Sequence, residues 1–145
     1  MTRHNLNTFS RNMRRRANEI GDNTTRLVRR VALTVDAAVV LGTPVDTGRA
    51  KSNWIVQIGS APTSVIEAYA PGEGGSTEAS NIAAATAQAE AVIAGYQSGR
   101  DWEIYISNNL PYIQALNDGH SAQAPAQFIE EAVAEAVAAA RRARL

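Results

Sequence analysis

The segment TPVDTGRAKSNW, residues 43–54, separates a long helical pattern from the first strand-like stretch of this 145-residue chain. Pro44 ends the preceding helix, because the residue before a proline resists helical geometry. Asp46 or Thr47 can accept backbone N–H groups in a tight turn or a helix cap. Gly48 can adopt a positive φ that residues with side chains avoid. The segment therefore predicts a sharp turn stabilised by side chains, between a helix and a sheet.

The residues before this turn predict a long amphipathic helix. Large apolar side chains recur there in steps that place them on one helix face; they are Leu6, Phe9, Met13, Ile20, Leu27, Val28, Val31, Val35 and Val39. Residues 21–23 (GDN) are the weak point, since glycine can end a helix and Asp or Asn can cap the next. Two alternatives stay open: one long helix kinked there, or a mobile arm followed by a helix over about 23–41. We divide the chain into an arginine-rich N-terminal arm or helix, 1–22, and a single α+β domain, 23–145.

The residues after the turn predict a small sheet. Alternation of apolar and polar residues indicates strands at 54–59 and, most clearly, at 102–107, and residues 65–70 are read as a further strand. Between the last two strands, residues 71–77 are rich in small residues and predict an exposed, mobile loop.

Three more helices are predicted around this sheet. Residues 79–96 form an alanine-dense helix, so that 71–97 is a flexible loop with an inserted helix. A short helix is expected at 110–116, ending at the turn that contains Gly119, and a final helix begins near Pro125, a favourable residue for a first turn. The predicted fold class is α+β, with long N-terminal and C-terminal helices packed on a small, mostly antiparallel sheet.

Composition predicts a small interior. Hydrophobic residues make up 45% of the chain, but 27 of them are alanine, which favours helix while burying little surface. The larger apolar residues amount to roughly a quarter of the chain, close to the range where a core becomes thin. Such a subunit is marginal as a monomer. We therefore expect it to complete its core against copies of itself or a partner.

Charge is unevenly distributed along the chain although the total is zero. Residues 1–30 contain eight arginines and two acidic residues, a local charge of +6, whereas 31–100 and 101–145 each carry −3. This polarity suits assembly in which the N-terminal part of one subunit meets the body of its neighbour. No apolar run approaches the ~20 residues of a membrane span, and the N-terminus has no signal-peptide pattern. We expect a soluble protein without a membrane partner.

Motifs for catalysis are weak in this sequence. There is no cysteine, and the two histidines, His4 and His120, lack the spacing of a zinc site. Asp118, His120 and Ser121 could be assembled into a triad, but no nucleophile-elbow pattern surrounds the serine. We therefore predict no catalytic residue, no metal and no cofactor.

The N-terminal arginines are the candidate contacts for a partner or for DNA: Arg11, Arg14, Arg15 and Arg16. Arginines can neutralise phosphates, but no aromatic residues are interleaved with them for base stacking. A net charge of zero is also unlike a dedicated nucleic-acid binder. A module that binds nucleic acid without sequence specificity stays open as the alternative function.

Two segments of the chain resemble one known family. The first is residues 43–54; the second is ISNNLPYIQALNDGHSAQAP, residues 106–125. Together they resemble the tailed-bacteriophage head–tail joining proteins, also called neck, tail-completion or tail-terminator proteins. The likeness covers roughly residues 25–140, and it departs from the family in the arginine-rich extension and in 71–97. The residues expected in structural turns or interfaces are Pro44, Asp46, Thr47, Gly48, Arg49, Trp54, Asn108, Pro111, Tyr112, Gly119 and Pro125.

The resemblance implies a structural virion protein and not an enzyme. It implies a homo-oligomeric ring around the DNA channel, with six copies favoured and twelve as the alternative under portal symmetry. The implied neighbours are a portal, connector or adaptor protein on one side and a tail tube or tail protein on the other, with DNA only as passing cargo. The implied location is the virion neck, after assembly in the host cytoplasm.

Overall fold

The computed structural model describes residues 2–143, and that range folds as an α+β unit. Its elements in chain order are α1 (Thr2–Gly42), α2 (Arg49–Ser52), β1 (Ile55–Ile58), α3 (Glu78–Ile93), β2 (Ile104–Ser107), α4 (Ile113–Asn117) and α5 (Phe128–Arg142). The two strands pair antiparallel, with Val56 opposite Ile106. The predicted fold class is therefore confirmed: long N-terminal and C-terminal helices accompany a small antiparallel sheet.

The N-terminal helix α1 is continuous over 41 residues and does not break at the predicted weak point, 21–23. Its two halves have different surroundings. Residues 5–20 are all exposed, whereas buried positions begin at Thr25 and recur through the second half. The second half packs against α5 and α3. Residues 5–20 therefore form a helical segment about 24 Å long with every residue exposed, and we refer to it as the arm.

The hydrophobic core is small and rich in alanine. One cluster contains Val39, Val40, Trp54, Ala85 and Ala132, and the other contains Ala32, Val56, Ala89 and Ile93. The small side chains of Ala85 and Ala89, one turn apart on α3, let that helix approach α1 and the sheet closely. Because each alanine buries little apolar surface, polar contacts are needed to fix how the elements pack.

A side-chain amide joins α3 to the sheet. Gln88 accepts a hydrogen bond from the Val56 N–H at 3.1 Å and donates one to the Val56 carbonyl at 2.9 Å. In an antiparallel pair, alternate residues direct both backbone groups away from the partner strand. Gln88 satisfies these groups at the edge of β1, where a third strand would otherwise lie.

The predicted strand at 65–70 is wrong, because this segment is irregular, with a bend at 69–70, and belongs to neither strand. Its backbone groups bond instead to side-chain amides. Asn53 accepts from the Ile66 N–H and donates to the Ile66 carbonyl, both at 2.8 Å. Asn81 does the same for Ala70, at 2.9 and 2.8 Å. Two amides thus take the place of a neighbouring strand, and no ladder forms.

The C-terminal helix begins three residues later than the predicted start near Pro125. Gln127 has a left-handed backbone, φ 65°, and its N–H donates to the Asn117 carbonyl at 2.6 Å. The Asn117 side chain accepts from the Ile129 N–H at 3.0 Å and donates to the Glu130 carboxylate at 2.9 Å. Asn117, at the end of α4, therefore caps α5 and sets its first residue.

Candidate functional site

The two motifs of the sequence, with 51 residues between them, face each other across one cleft of about 310 Å³. We call it the motif cleft. One wall is formed by residues 44–50; the other is formed by Tyr112, Leu116, His120, Ser121 and Gln123. The two motifs, distant in sequence, are therefore parts of one local structure.

Two hydrogen bonds hold the walls of the motif cleft together. The Asn108 side chain donates to the Ala50 carbonyl at 2.9 Å. The Gln123 side chain accepts from the Val45 N–H at 2.9 Å. Each joins a side chain of the second motif to the backbone of the first. These two bonds therefore depend on the backbone conformation of the first motif.

The turn makes the contacts that its residues predict. Thr47 Oγ1 accepts from the Arg49 N–H at 3.4 Å, across the start of α2. Asp46 accepts from the Gly74 N–H through its carboxylate at 3.0 Å and from the Gly75 N–H through its carbonyl at 2.9 Å. Asp46 therefore ties the glycine-rich loop at 71–77 to the turn, a connection that the sequence does not indicate.

Gly48 is required both by its backbone and by its neighbour. Its φ is +85°, in the region that glycine adopts without cost. A Cβ at this position would also collide with the side-chain amide of Asn81. That amide cannot move aside, because it is bonded to Ala70, and its Oδ1 also accepts from Ser52 Oγ at 2.9 Å.

Arg49 bonds both a carbonyl and a carboxylate of the segment 65–70. Its Nε donates to the Ile66 carbonyl at 3.3 Å, and its Nη2 lies 3.2 Å from Glu67 Oε1. Tyr112 shares this environment: burial raises the pKa of its phenol, the charge of Arg49 lowers that pKa, and the charge of Glu67 raises it. Arg49 thus anchors the 65–70 segment beside the motif cleft, with part of its guanidinium exposed.

Lys51 is a buried residue that motif reasoning did not identify. Its side chain is 1% exposed, and Nζ donates to the carbonyls of Val40 and Leu41 at 2.9 and 3.0 Å. Glu78 Oε1 lies 3.3 Å from the same nitrogen. Burial lowers the pKa of Lys51, and Glu78 counteracts that shift. The ammonium group compensates the unpaired carbonyls and the negative dipole at the end of α1.

The other predicted motif residues lie around the cleft in structural roles. Trp54 is buried, and its Nε1 donates to Thr43 Oγ1 at 2.7 Å. Gly119 has a φ of +92° and lies against Ala126. Pro111 and Pro125 are exposed, on the segments before α4 and α5 respectively.

Asp36 is a buried carboxyl group that the sequence pattern does not reveal. It is 1% exposed, and among residues 2–143 its Oδ1 has no hydrogen-bond partner. Burial raises the pKa of Asp36 to about 7, and its charge contributes to the raised pKa of Tyr69. An unpartnered carboxyl in the core is costly when ionised.

The arginine candidates lie on the arm and not at the motif cleft. Arg11, Arg14, Arg15 and Arg16 are all exposed. Arg15 Nε lies 3.9 Å from Glu19, in a pair that is largely solvated. The arginines are therefore free to meet another molecule without a change in the body.

The residues considered for a catalytic triad, Asp118, His120 and Ser121, do not hydrogen-bond to one another. Ser121 Oγ accepts from the Gln123 N–H at 3.2 Å, and Asp118 accepts from Gln114 at 3.0 Å. His120 is exposed. Over the described part of the chain no group of metal-binding side chains comes together, and none of the helices there could cross a bilayer.

Comparison of the chain with protein-family models, curated proteins and solved structures found no match. The resemblance carried by the two motifs therefore stays a prediction.

Proposed function

We propose that this protein is a structural virion component that forms a homo-oligomeric ring at the head–tail junction of a tailed bacteriophage. The observation that carries the proposal is the exposed apolar face of the arm. Leu6, Phe9, Met13 and Ile20 are 65%, 62%, 51% and 66% exposed. They recur at helical spacing on a segment whose residues are all exposed.

The energetic reason for this choice is that large apolar side chains are stabilised by burial. Removing apolar surface from water is worth roughly 25 cal/mol per Å², and a contiguous apolar patch on a monomer commonly marks an interaction site. The arm cannot bury its stripe against the body, because α1 is one uninterrupted helix. The stripe can therefore be buried by association with another molecule.

The convergence of the two motifs on one cleft gives a second line of support. Segments that resemble one family and are distant in sequence are expected to share a local structure if they are inherited together. The hydrogen bonds of Asn108 and Gln123 meet that expectation. The polar contacts at the motif cleft fix the backbone geometry, as expected for a structural subunit.

In this proposal six copies surround the DNA channel, or twelve if the ring follows portal symmetry. One face of the ring contacts a portal, connector or adaptor protein, and the opposite face contacts the tail tube or another tail protein. The protein acts without a cofactor and is not an enzyme. The arm arginines dock on an acidic patch of a neighbouring ring or line a surface close to passing DNA.

The deciding experiment is removal of the gene from the phage or prophage that encodes it, followed by electron microscopy of the lysate. We expect DNA-filled heads and separate tails in place of joined particles, and rescue by the gene supplied in trans. Joined, infectious particles in the absence of the protein would overturn the proposal.

Nucleic-acid binding through the arm is the alternative function, favoured by the exposure of all four arginines. The triple reversal of Arg14, Arg15 and Arg16 to Glu separates the two functions. If the protein is a DNA-binding module, the wild type binds DNA tightly without a partner, the affinity falls steeply with salt, and the reversal abolishes binding. If it is a ring subunit, the reversal affects particle joining or DNA retention instead.

A further inference from the structure

We infer that an apolar groove on the body receives the arm of a second copy of this chain. The groove has a volume of about 490 Å³ and lies between the second half of α1 and strand β2. Its walls include Leu27, Val28, Val31 and Val35 of α1 and Ile104 and Ile106 of β2. The inference rests on the proposed function in that it names the surface through which ring subunits would associate.

The groove has the properties of an unfilled apolar site. Its walls expose mostly carbon, and Val31, Val35, Ile104 and Ile106 are only half-buried. Trp102, two residues before Ile104, is 92% exposed. Burial of such an exposed aromatic side chain against a partner lowers the free energy. The groove therefore favours an apolar helix or strand as occupant, and an occupant that extends past Ile104 would also cover Trp102.

The arm supplies an apolar surface of matching kind. Leu6, Phe9, Met13 and Ile20 follow one another in steps of three, four and seven residues, the spacing of a helix seam that packs against another helix. Long, flexible side chains such as Met13 adapt well to irregular apolar walls. The stripe thus fits the groove in chemistry and in helical geometry.

The arm cannot occupy the groove of its own chain. Stripe and groove lie on the two halves of one uninterrupted helix. Met13 and Val31 are 18 residues apart on it, which corresponds to about 27 Å. Filling the groove with this stripe therefore requires a second copy.

The charges on the arm are compatible with this placement. At about 100° per residue, Arg11 and Arg15 lie on the side of α1 opposite the stripe, and Arg16 borders it. Exposed Glu103 neighbours the groove residue Ile104 in the chain. More broadly, the arm carries a net charge of +3 and residues 21–145 carry −4, so the arm of one copy is attracted to the body of another.

The absence of cysteine from the sequence permits a direct test. A chain with Met13→Cys is mixed with a chain with Val28→Cys or Val31→Cys, oxidised gently, and analysed by peptide mass spectrometry. We expect a mixed disulfide with at least one of the two groove positions, since a bond needs Cα atoms within about 7 Å. Arg11→Cys, on the opposite side of the helix, is the matched control and should give at least tenfold less product.

A second test compares two substitutions that add the same charge to the arm. Phe9→Glu places a carboxylate in the stripe, and Asn7→Glu places one well outside it. We expect Phe9→Glu to weaken self-association at least tenfold in sedimentation or light scattering, and Asn7→Glu to change it less than twofold. The exposed Trp102 gives an independent signal, because docking should shift its fluorescence to shorter wavelength and Phe9→Glu should reverse that shift.

The outcomes separate this inference from the proposed function. If neither groove position cross-links to the stripe and Phe9→Glu acts like Asn7→Glu, arm docking is wrong even where the gene is needed for joining particles. If cross-links form but the assembly stops at two copies, with each arm in the other's groove, the docking is right and the ring is wrong. Cross-links in an assembly of six or twelve copies support both.

Discussion

The side chain of Asn81 exchanges two hydrogen bonds with the backbone of Ala70, accepting from its N–H at 2.9 Å and donating to its carbonyl at 2.8 Å. The same amide accepts from Ser52 Oγ and lies against Gly48. One fully buried residue of α3 therefore fixes α2, the turn and the extended segment at once. This arrangement makes the motif region dependent on a residue outside both motifs.

Replacing Asn81 with Ala should destabilise the protein by about 3 kcal/mol, since several buried partners lose their hydrogen bonds together. The exposed neighbour Ser80→Ala is the matched control and should change stability by less than about 0.5 kcal/mol. Urea unfolding followed by circular dichroism measures both. Equal midpoints for the two variants would contradict a central role for Asn81.

Gly48→Ala should cost about 3 kcal/mol, combining a left-handed backbone with a collision against the fixed Asn81 amide. Gly59 provides the comparison, because its φ is +87° and a Cβ there meets nothing within 4 Å. Gly59→Ala should therefore cost only about 1 kcal/mol, the backbone contribution alone. Thermal unfolding of both variants measures the difference, and a larger loss at Gly59 would refute the assignment.

Asp36 should make stability depend on pH. Its pKa is about 7 in the folded protein, against 3.8 as the ordinary value. Between these values the folded state holds a proton that the unfolded state has released. Stability therefore falls as pH rises from about 4 to 7 and levels off above that, by an amount on the order of 4 kcal/mol.

The variant Asp36→Asn isolates this effect, because it keeps the shape of the side chain and cannot ionise. We expect the variant to be more stable than the wild type at pH 8, with the gap closing towards pH 4.5. Urea unfolding at pH 4.5, 6 and 8 measures the gap. A constant difference across that range would show that the carboxyl does not titrate where its burial predicts.

Lys51→Met should destabilise the protein by about 2 kcal/mol, because two carbonyls at the end of α1 lose their donor. Glu78→Gln should cost only about 0.5 kcal/mol, since its side chain is 45% exposed and solvent screens the pair. Chemical denaturation at low and high salt measures both. A larger effect at Glu78 would mean that the ion pair, and not the helix end, is what Lys51 stabilises.

The sequence predicts well what local chemistry controls. Periodicity locates α1 because its apolar face repeats with the helical period, alanine content locates α3, and Pro125 marks the approach to α5. Thr47 accepts from the Arg49 N–H and Gly48 has a positive φ, as their types and spacing in the turn indicate. The partners of Asp46 and Arg49 lie at residues 66–75 and cannot be identified from the turn alone.

What the sequence did not reveal depends on partners distant along the chain. Residues 65–70 look like a strand, but amides of Asn53 and Asn81 satisfy their backbone, and nothing within 65–70 encodes that. The sequence does contain an indication at Asn81, which lies in line with Ala85 and Ala89 on one face of α3. Asparagine disfavours helix, so its presence on a face of small apolar residues indicates a hydrogen-bonding role. Asp36 and Lys51 carry no comparable signal, because their burial follows from how α1, α2 and α3 pack.

The Gln88 side chain on Val56 has a consequence for behaviour at high concentration. An unprotected strand edge invites other chains to extend the sheet, which is a route to fibrils. Here the outer edge of β1 is already occupied at Val56, the second of its four residues, by an amide from the chain's own helix. Even at high protein concentration, this edge is therefore closed to cross-β growth at Val56.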